Sequence, residues 1–294
     1  MTGIHFLLTY MCNRACDHCF VYSTPQAEGT FTIDRIRAVL EEICRIGTIE
    51  TVYFEGGEPF LFYRTMIEGV RMASRRGFRT GIVTNAYWAT SPEDAANCLE
   101  PLAEAGLGTI SVSDDALHYG EHERAHWENA EPAATRLGIA ASLLATEAPT
   151  VIAGPDGTPE VCGGVMFRGR AADRLADGLP RLSWEQFTEC PAEELVEPGR
   201  VHLDAFGNVH ICQGISMGNM WQTPLSRLIS EYDAQAHPIC GALVRGGPAA
   251  LVIENNLSNL DAAVSACHLC YMARRALLER LSEYLCPRQL YGVE

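Results

Sequence analysis

The sequence predicts an α/β protein: a parallel sheet with helices outside it, followed by a smaller α+β unit. Three observations predict this. Short apolar runs suited to buried strands alternate with stretches of helical period over residues 3–145. Cap and stop residues bracket most of the helical stretches. The alternation ends near residue 182, where a hairpin pattern and a long helical stretch take over. The chain therefore divides into units 1–181 and 182–294.

The elements follow in order. Residues 3–10 form a nearly unbroken apolar run, which predicts a strand buried on both faces. Thr32 N-caps a helix carrying Ile33, Ile36, Leu40 and Ile43 inward, and Gly47 closes it. A second strand over 51–55 ends at a glycine pair, and a helix follows to about Arg76 and Gly77. The third strand covers 78–84. Ser91-Pro92 is a cap followed by a first-turn proline, opening a helix that runs to Ala105 before Gly106. Residues 109–113 predict a fourth strand, 118–137 a helix interrupted by Pro132, and 139–145 a fifth strand. A sixth strand is expected over 161–167, after a Gly/Pro-rich loop. Beyond 182, residues 200–213 alternate around Phe206-Gly207-Asn208 as a hairpin. Thr223-Pro224 opens a short helix, and 260–285 reads as a long one.

The densest chemical signal is Cys12, Cys16 and Cys19, spaced C-x3-C-x2-C directly after the first strand. Three thiolates hold three irons of a cubane [4Fe–4S] cluster, whereas electron carriers use four cysteines. The next cysteine is Cys44, so one iron is left open to a ligand from outside the protein. A structural zinc wants four ligands, typically in paired knuckles. A ferredoxin-type cluster wants a fourth nearby cysteine. Together with His18 and the later Gly56-Gly57-Glu58-Pro59, the triplet resembles the signature of the radical S-adenosylmethionine (SAM) superfamily.

That resemblance implies a partial (β/α)6 TIM-like barrel. It also implies SAM bound through its methionine end to the open iron, reductive cleavage to a 5′-deoxyadenosyl radical, and abstraction of a hydrogen atom. Gly56, Gly57, Glu58 and Pro59 are then expected at the methionine amino group, and Thr84 and Asn85 at SAM after the third strand. Ser111 is expected near the SAM carboxylate, with Arg124 as an accompanying guanidinium. The local pattern Ser111-Val112-Ser113-Asp114-Asp115 departs from the family's usual Ser-x-Asp-Gly. All these segments fall at predicted strand carboxyl ends, where such folds place their active sites. His118, His122 and His126 share a helical face, read as a polar face rather than a metal site.

A second cysteine set lies in the C-terminal unit. Cys190 precedes a proline, Cys212 ends the hairpin, and Cys267 and Cys270 share one side of a helix. Four thiols from three segments suit a zinc ion or an iron–sulfur cluster equally by chemistry. The order Cys190, Gly207-x4-Cys212, Cys267-x2-Cys270 resembles the Twitch form of the SPASM-type auxiliary domain, which implies a second [4Fe–4S] cluster able to accept an electron. Of the remaining cysteines, Cys44 and Cys98 are expected as small core residues. Cys240 is a candidate hydrogen-atom donor on a loop.

Composition narrows the setting. Net charge is −15, which disfavours nucleic acid, and no apolar run approaches a membrane span. Twelve cysteines without a basic leader point to the cytoplasm and to metal ligation rather than disulfides. The expected function is a radical SAM oxidoreductase or epimerase acting on a small polar, sugar- or aminocyclitol-like substrate. Asp114, Asp115 and Asp204 are candidates for amine contacts, and a flavodoxin or ferredoxin serves as electron donor. The alternative is a maturase of a ribosomal peptide, set second because the first strand begins at residue 3 and leaves no room for a preceding peptide-recognition domain. A non-enzymatic iron–sulfur electron carrier is the lesser alternative.

Overall fold

The computed structural model describes residues 1–120, 125–257 and 259–293. Strand β1 (Gly3–Thr9) is buried on both faces along most of its length. Helix α1 (Ile33–Ile46) starts where Arg35 N donates to Thr32 Oγ1 and stops at Gly47, which sits at φ +76. Strand β2 (Thr51–Gly56) leads into a 3₁₀ turn, Pro59–Phe62, and then α2 (Tyr63–Ser74). Strand β3 (Arg79–Thr84), helix α3 (Pro92–Ala105) and strand β4 (Thr109–Ser113) follow as their caps predict, with Asp94 N donating to Ser91 Oγ and Gly106 left-handed at the end of α3.

The helix expected over 118–137 is two helices. In α4 (Ala116–Tyr119) the Asp115 carboxylate accepts from Leu117 N and His118 N, so the start lies earlier than apolar periodicity suggests. Gly120 at φ +85 ends it, and α5 (Ala125–Arg136) begins afresh. Pro132 stands inside α5 without ending it. Strand β5 (Ala140–Leu144) pairs parallel with β4.

The sixth strand expected over 161–167 does not form. Instead β6 (Thr150–Ala153) and β7 (Pro159–Cys162) make a separate antiparallel ribbon. Gly163 at φ +120 breaks the extended run, and Val161, Val165 and Phe167 pack in a small cluster with Ala176 and Val264. Helix α6 (Arg170–Arg174) and the short β8 (Leu182–Ser183) lead to the hairpin. The hairpin pairs β9 (Arg200–Asp204) with β10 (Asn208–Cys212), and β11 (Ile215–Asn219) extends it. Helices α7 (Leu225–Glu231) and α8 (Cys240–Glu254) follow, the latter kinked at Gly246-Gly247-Pro248. Strand β12 (Ala262–Ala263) pairs with β8, and α9 (Ala266–Leu277) is shorter than its predicted span.

The principal sheet has the order β11-β10-β9-β1-β2-β3-β4-β5. β9 runs parallel to β1, with His5 opposite His202 and Leu7 opposite Asp204. Six neighbouring strands, β9 and β1 to β5, are therefore parallel. The sixth comes from the hairpin and joins beyond β1, so the sheet runs across residue 182. Alternate strand residues (Ile4, Phe6, Val52, Phe54, Ile82, Ile110) pack outward on α1, α2, α3 and α5. On the opposite face Leu7 joins the second core with α8, α9 and the hairpin, while Glu55, Val83 and Ser113 face a cavity. No helix among the described residues is long and apolar enough to cross a membrane.

Candidate active site and second thiol pocket

The loop after β1 carries the cysteine triplet over the carboxyl ends of the strands. Cys12 N donates to Thr24 O at 3.0 Å, and Cys19 N to Cys16 O at 3.1 Å. Arg170, buried and without any motif to announce it, clamps the loop. Its guanidinium donates to Cys16 O at 2.7 Å and Ser23 O at 2.5 Å, and its backbone N to Cys19 O at 2.9 Å. All three triplet cysteines line one cavity of about 370 Å³, and among the described residues no fourth cysteine lines it. Burial pushes the Cys12 thiol up to about 12 and the Cys16 thiol up to about 11, so their thiolates need a cation beside them. Arg14 Nε and His18 Nδ1 on the same cavity are buried without hydrogen-bond partners. Three thiols and unspent polar atoms fit a cluster with an external ligand.

The Gly56-Gly57-Glu58-Pro59 stretch divides its work. Gly56 and Gly57 line the cavity, whereas Glu58 and Pro59 stand behind it. A side chain at Gly57 would put Cβ 2.1 Å from Met11 O, and one at Gly56 2.3 Å from Thr9 O. The backbone that needs this room is the cysteine loop itself: Gly57 N donates to Thr9 O and Glu58 N to Met11 O. Glu58 does not line the cavity. Its fully buried carboxylate accepts from Phe60 N (3.0 Å), Thr84 Oγ1 (2.8 Å) and Asn85 N (2.8 Å), which ties the end of β2 to that of β3. Burial still raises it to about 7 against those three donors.

Thr84 and Asn85 line the cavity as expected. Asn85 Nδ2 donates to Asn13 Oδ1 at 2.9 Å and lies 3.7 Å from Cys12 Sγ. Ser111 does not reach the cavity. It lies deeper in β4 and pairs with Ser142 Oγ at 2.9 Å, while Ser113, two residues nearer the strand's carboxyl end on the same face, lines the cavity. Arg124 and His122 lie outside the described residues. His126 packs with tilted rings against Tyr119, whereas His118 meets His18 edge-to-face, so His118 and His126 have different partners. His18, Asp115 and His118 bring their donor atoms within 4.8 Å of one another beside the cavity. Burial, and then His118, lower His18 to about 4. Arg14, a cation on the same cavity, donates to His118 O and covers the Tyr119 ring at 3.8 Å. Of the candidate acids, only Asp115 lines the cavity. Asp114 accepts from Trp127 N, and Asp204 is spent on Tyr10, Asn208 and His210.

Cys190, Cys212, Cys267 and Cys270 do converge, on a second and much smaller cavity of about 20 Å³. Ser265 caps α9 and aims Cys267 and Cys270 at it from the first turns. Two buried guanidiniums attend it. Arg168 Nη1 stands 3.0 Å from Cys212 Sγ and 3.3 Å from Glu193, and Arg274 donates to Gln213 O. Burial raises the Cys270 thiol to about 12, with Arg274 opposing. Arg168 lines both cavities and so stands between them. Cys240 reaches neither. It begins α8, fully buried in the C-terminal core, which removes it from the loop position expected of a hydrogen donor. Cys44 is exposed on α1, not a core residue, and Cys98 is only half-buried.

Fold and site together define a parallel-sheet protein whose strand ends carry a three-thiol cavity. Residues 6–129 match the family model described as the Radical SAM superfamily. A "Putative peptide biosynthesis protein YydG" of Bacillus subtilis is 25% identical over 107 residues, covering 36% of this chain and 34% of that protein. The "Tungsten-containing aldehyde ferredoxin oxidoreductase cofactor-modifying protein" of Pyrococcus furiosus is 31% identical over 118 residues, 40% of this chain and 32% of its own length. "Putative protein YfkA" of Bacillus subtilis is 36% identical over 91 residues, 29% and 24% of the two chains. The chain thus spans about a third or less of the curated relatives it matches. A crystal structure of Streptococcus suis SuiB bound to S-adenosylmethionine aligns at a TM-score of 0.42 and 12% identity, over 77% of this chain and 64% of that one, a likeness too slight to build on.

Proposed function

We propose that this chain is a radical SAM enzyme. Cys12, Cys16 and Cys19 would hold a [4Fe–4S] cluster, with SAM beside it in the 370 Å³ cavity. The observation that carries the reading is the meeting of three thiols, and no fourth, with the strand-end turns on one cavity. When bound, the cluster and SAM supply one-electron cleavage of a sulfonium C–S bond and a radical able to take hydrogen from carbon. The protein's own part is binding and placement. Gly56 and Gly57 let the cysteine loop sit against the sheet. Asn85 and Ser113 offer polar groups to SAM, and Arg170 keeps the loop in register.

For the substrate we favour a peptide. One relative is named a putative peptide biosynthesis protein. The cavity is rimmed by apolar side chains that remain exposed, Phe20 (39%), Leu144 (44%) and Met166 (38%), which suits the side chains of an extended ligand. The sugar- or aminocyclitol-like substrate expected from sequence has no counterpart in the names of these relatives. Another relative is named a cofactor-modifying protein, which keeps a small molecule as the second reading.

Residues 182–294 would form an auxiliary unit in which Cys190, Cys212, Cys267 and Cys270 hold a second [4Fe–4S] cluster. The sequence spacing of the four cysteines, which resembles the auxiliary-domain pattern, is what favours a cluster over zinc. A flavodoxin or ferredoxin would supply the electron.

The test is direct. Reconstituted, reduced protein incubated with SAM should release 5′-deoxyadenosine and methionine. Cys12→Ala, Cys16→Ala and Cys19→Ala should each abolish both products. Wild-type protein with a full cluster that makes neither product would overturn the reading.

A further inference from the structure

Inside the sheet, just below the floor of the large cavity, three side chains converge from three strands. His5 on β1, Glu55 on β2 and His202 on β9 bring their donor atoms within 4.8 Å of one another. The parallel pairing of β9 with β1, which puts His5 opposite His202, is what brings them together. Glu55 Oε1 lies 3.0 Å from His202 Nε2 and 3.4 Å from His5 Nδ1.

Both contacts are at ion-pair distance. Glu55 Oε1 and His5 Nδ1 are both buried with no hydrogen-bond partner. Buried polar atoms are rarely left unpaired, so two facing each other call for a missing partner, either a proton network or an ion. The distances suit an ion. Donors about 2.1 Å from one metal stand about 3.0 Å apart at a right angle and about 3.4 Å apart at the tetrahedral angle.

We propose that His5, Glu55 and His202 form a mononuclear site for a divalent transition-metal cation. Two imidazoles and one carboxylate on a single face are the donor set that suits iron(II), manganese(II) or zinc(II), with coordination positions left open. The Gln213 amide, 3.2 Å from His202 Nε2, stands where its oxygen can serve as a further donor, since its O and N are interchangeable by a flip. Tyr53 stacks on the His5 ring at 4.8 Å and holds its orientation. Glu55 lines the large cavity and His5 and His202 do not, so the open positions face up into that cavity, toward an oxygen donor of whatever lies there. The site does not depend on the radical reading, because none of its three ligands is a cysteine.

The experiment uses the full chain with its thiol sets reconstituted with iron and sulfide, so that cysteines do not compete. Dialysis against Mn²⁺ and, separately, Zn²⁺, with elemental counting, should give about one added ion per chain. Electron–nuclear double resonance on bound Mn²⁺ should show nitrogen couplings from two imidazoles. Glu55→Gln and His202→Gln should each weaken binding at least tenfold, with iron content and melting curve unchanged, and Glu55→Asp should restore part of it. Where a variant fails to fold, the nitrogen couplings in wild type still decide. No stoichiometric uptake of either ion by wild type, bound Mn²⁺ without nitrogen couplings, or equal uptake by the folded variants would overturn the proposal and leave the triad an ion-paired cluster.

Discussion

Glu58 sits in the Gly56–Pro59 stretch, and its carboxylate is hydrogen-bonded inside the protein. Its carboxyl is raised from 4.5 to about 7 by burial, so the folded state binds its proton more tightly than the unfolded chain does. Its contribution to stability is complete below about 4.5 and is lost as pH rises toward about 7. Wild-type unfolding free energy should therefore fall across that window by on the order of 3 kcal/mol relative to Glu58→Gln, measured by denaturant titration at several pH values. The neighbouring serines offer a second contrast. Ser113→Ala should weaken SAM binding about fivefold, about 1 kcal/mol, while Ser111→Ala leaves it unchanged, as read by equilibrium dialysis. Sequence pointed to Ser111 because it tops the family pattern. The face of a strand repeats every second residue, and only the depth of the cavity decides which of the two serves.

At the scale of elements, the cysteine loop is held from two sides. Gly57 lets it lie against the end of β2, and Arg170 from the start of α6 ties down Cys16 and Ser23. Gly57→Ala would force Met11 O away from a contact of 2.1 Å, so it should cost on the order of 2 kcal/mol and lower iron content at the triplet, read by melting and iron counting. Sequence placed α1, α3 and the strands around them closely, because Thr32, Ser91, Gly47 and Gly106 act locally as caps. It missed α8, whose Gly246-Gly247-Pro248 kink hides the helical period, and it joined α4 to α5 across Gly120. Arg170 was invisible for a different reason. Its partners are 154 and 147 residues away, and a lone buried arginine leaves no pattern.

At the scale of the molecule, the sheet joins the two units that sequence separates, because β9 adds itself to β1. Arg168 stands between the cavities that the two thiol sets line. If both sets hold cubanes, wild type should carry roughly eight irons and Cys267→Ala roughly four, with the triplet cluster and SAM cleavage chemistry assayed separately. Equal counts in both proteins would remove the second cluster.

What the sequence determined by itself were the features that act over short distances along the chain. These are the cysteine spacings, the glycine pair, the helix caps and the strand–helix alternation, and they were enough to point to the superfamily whose model residues 6–129 match. The tertiary structure alone decided which strand became the sixth, which serine meets the cavity, that Glu58 and Cys240 face away from it, and that His5, Glu55 and His202 meet at all. Those outcomes depend on strand register and on side-chain direction between residues far apart in sequence, and a linear pattern carries neither.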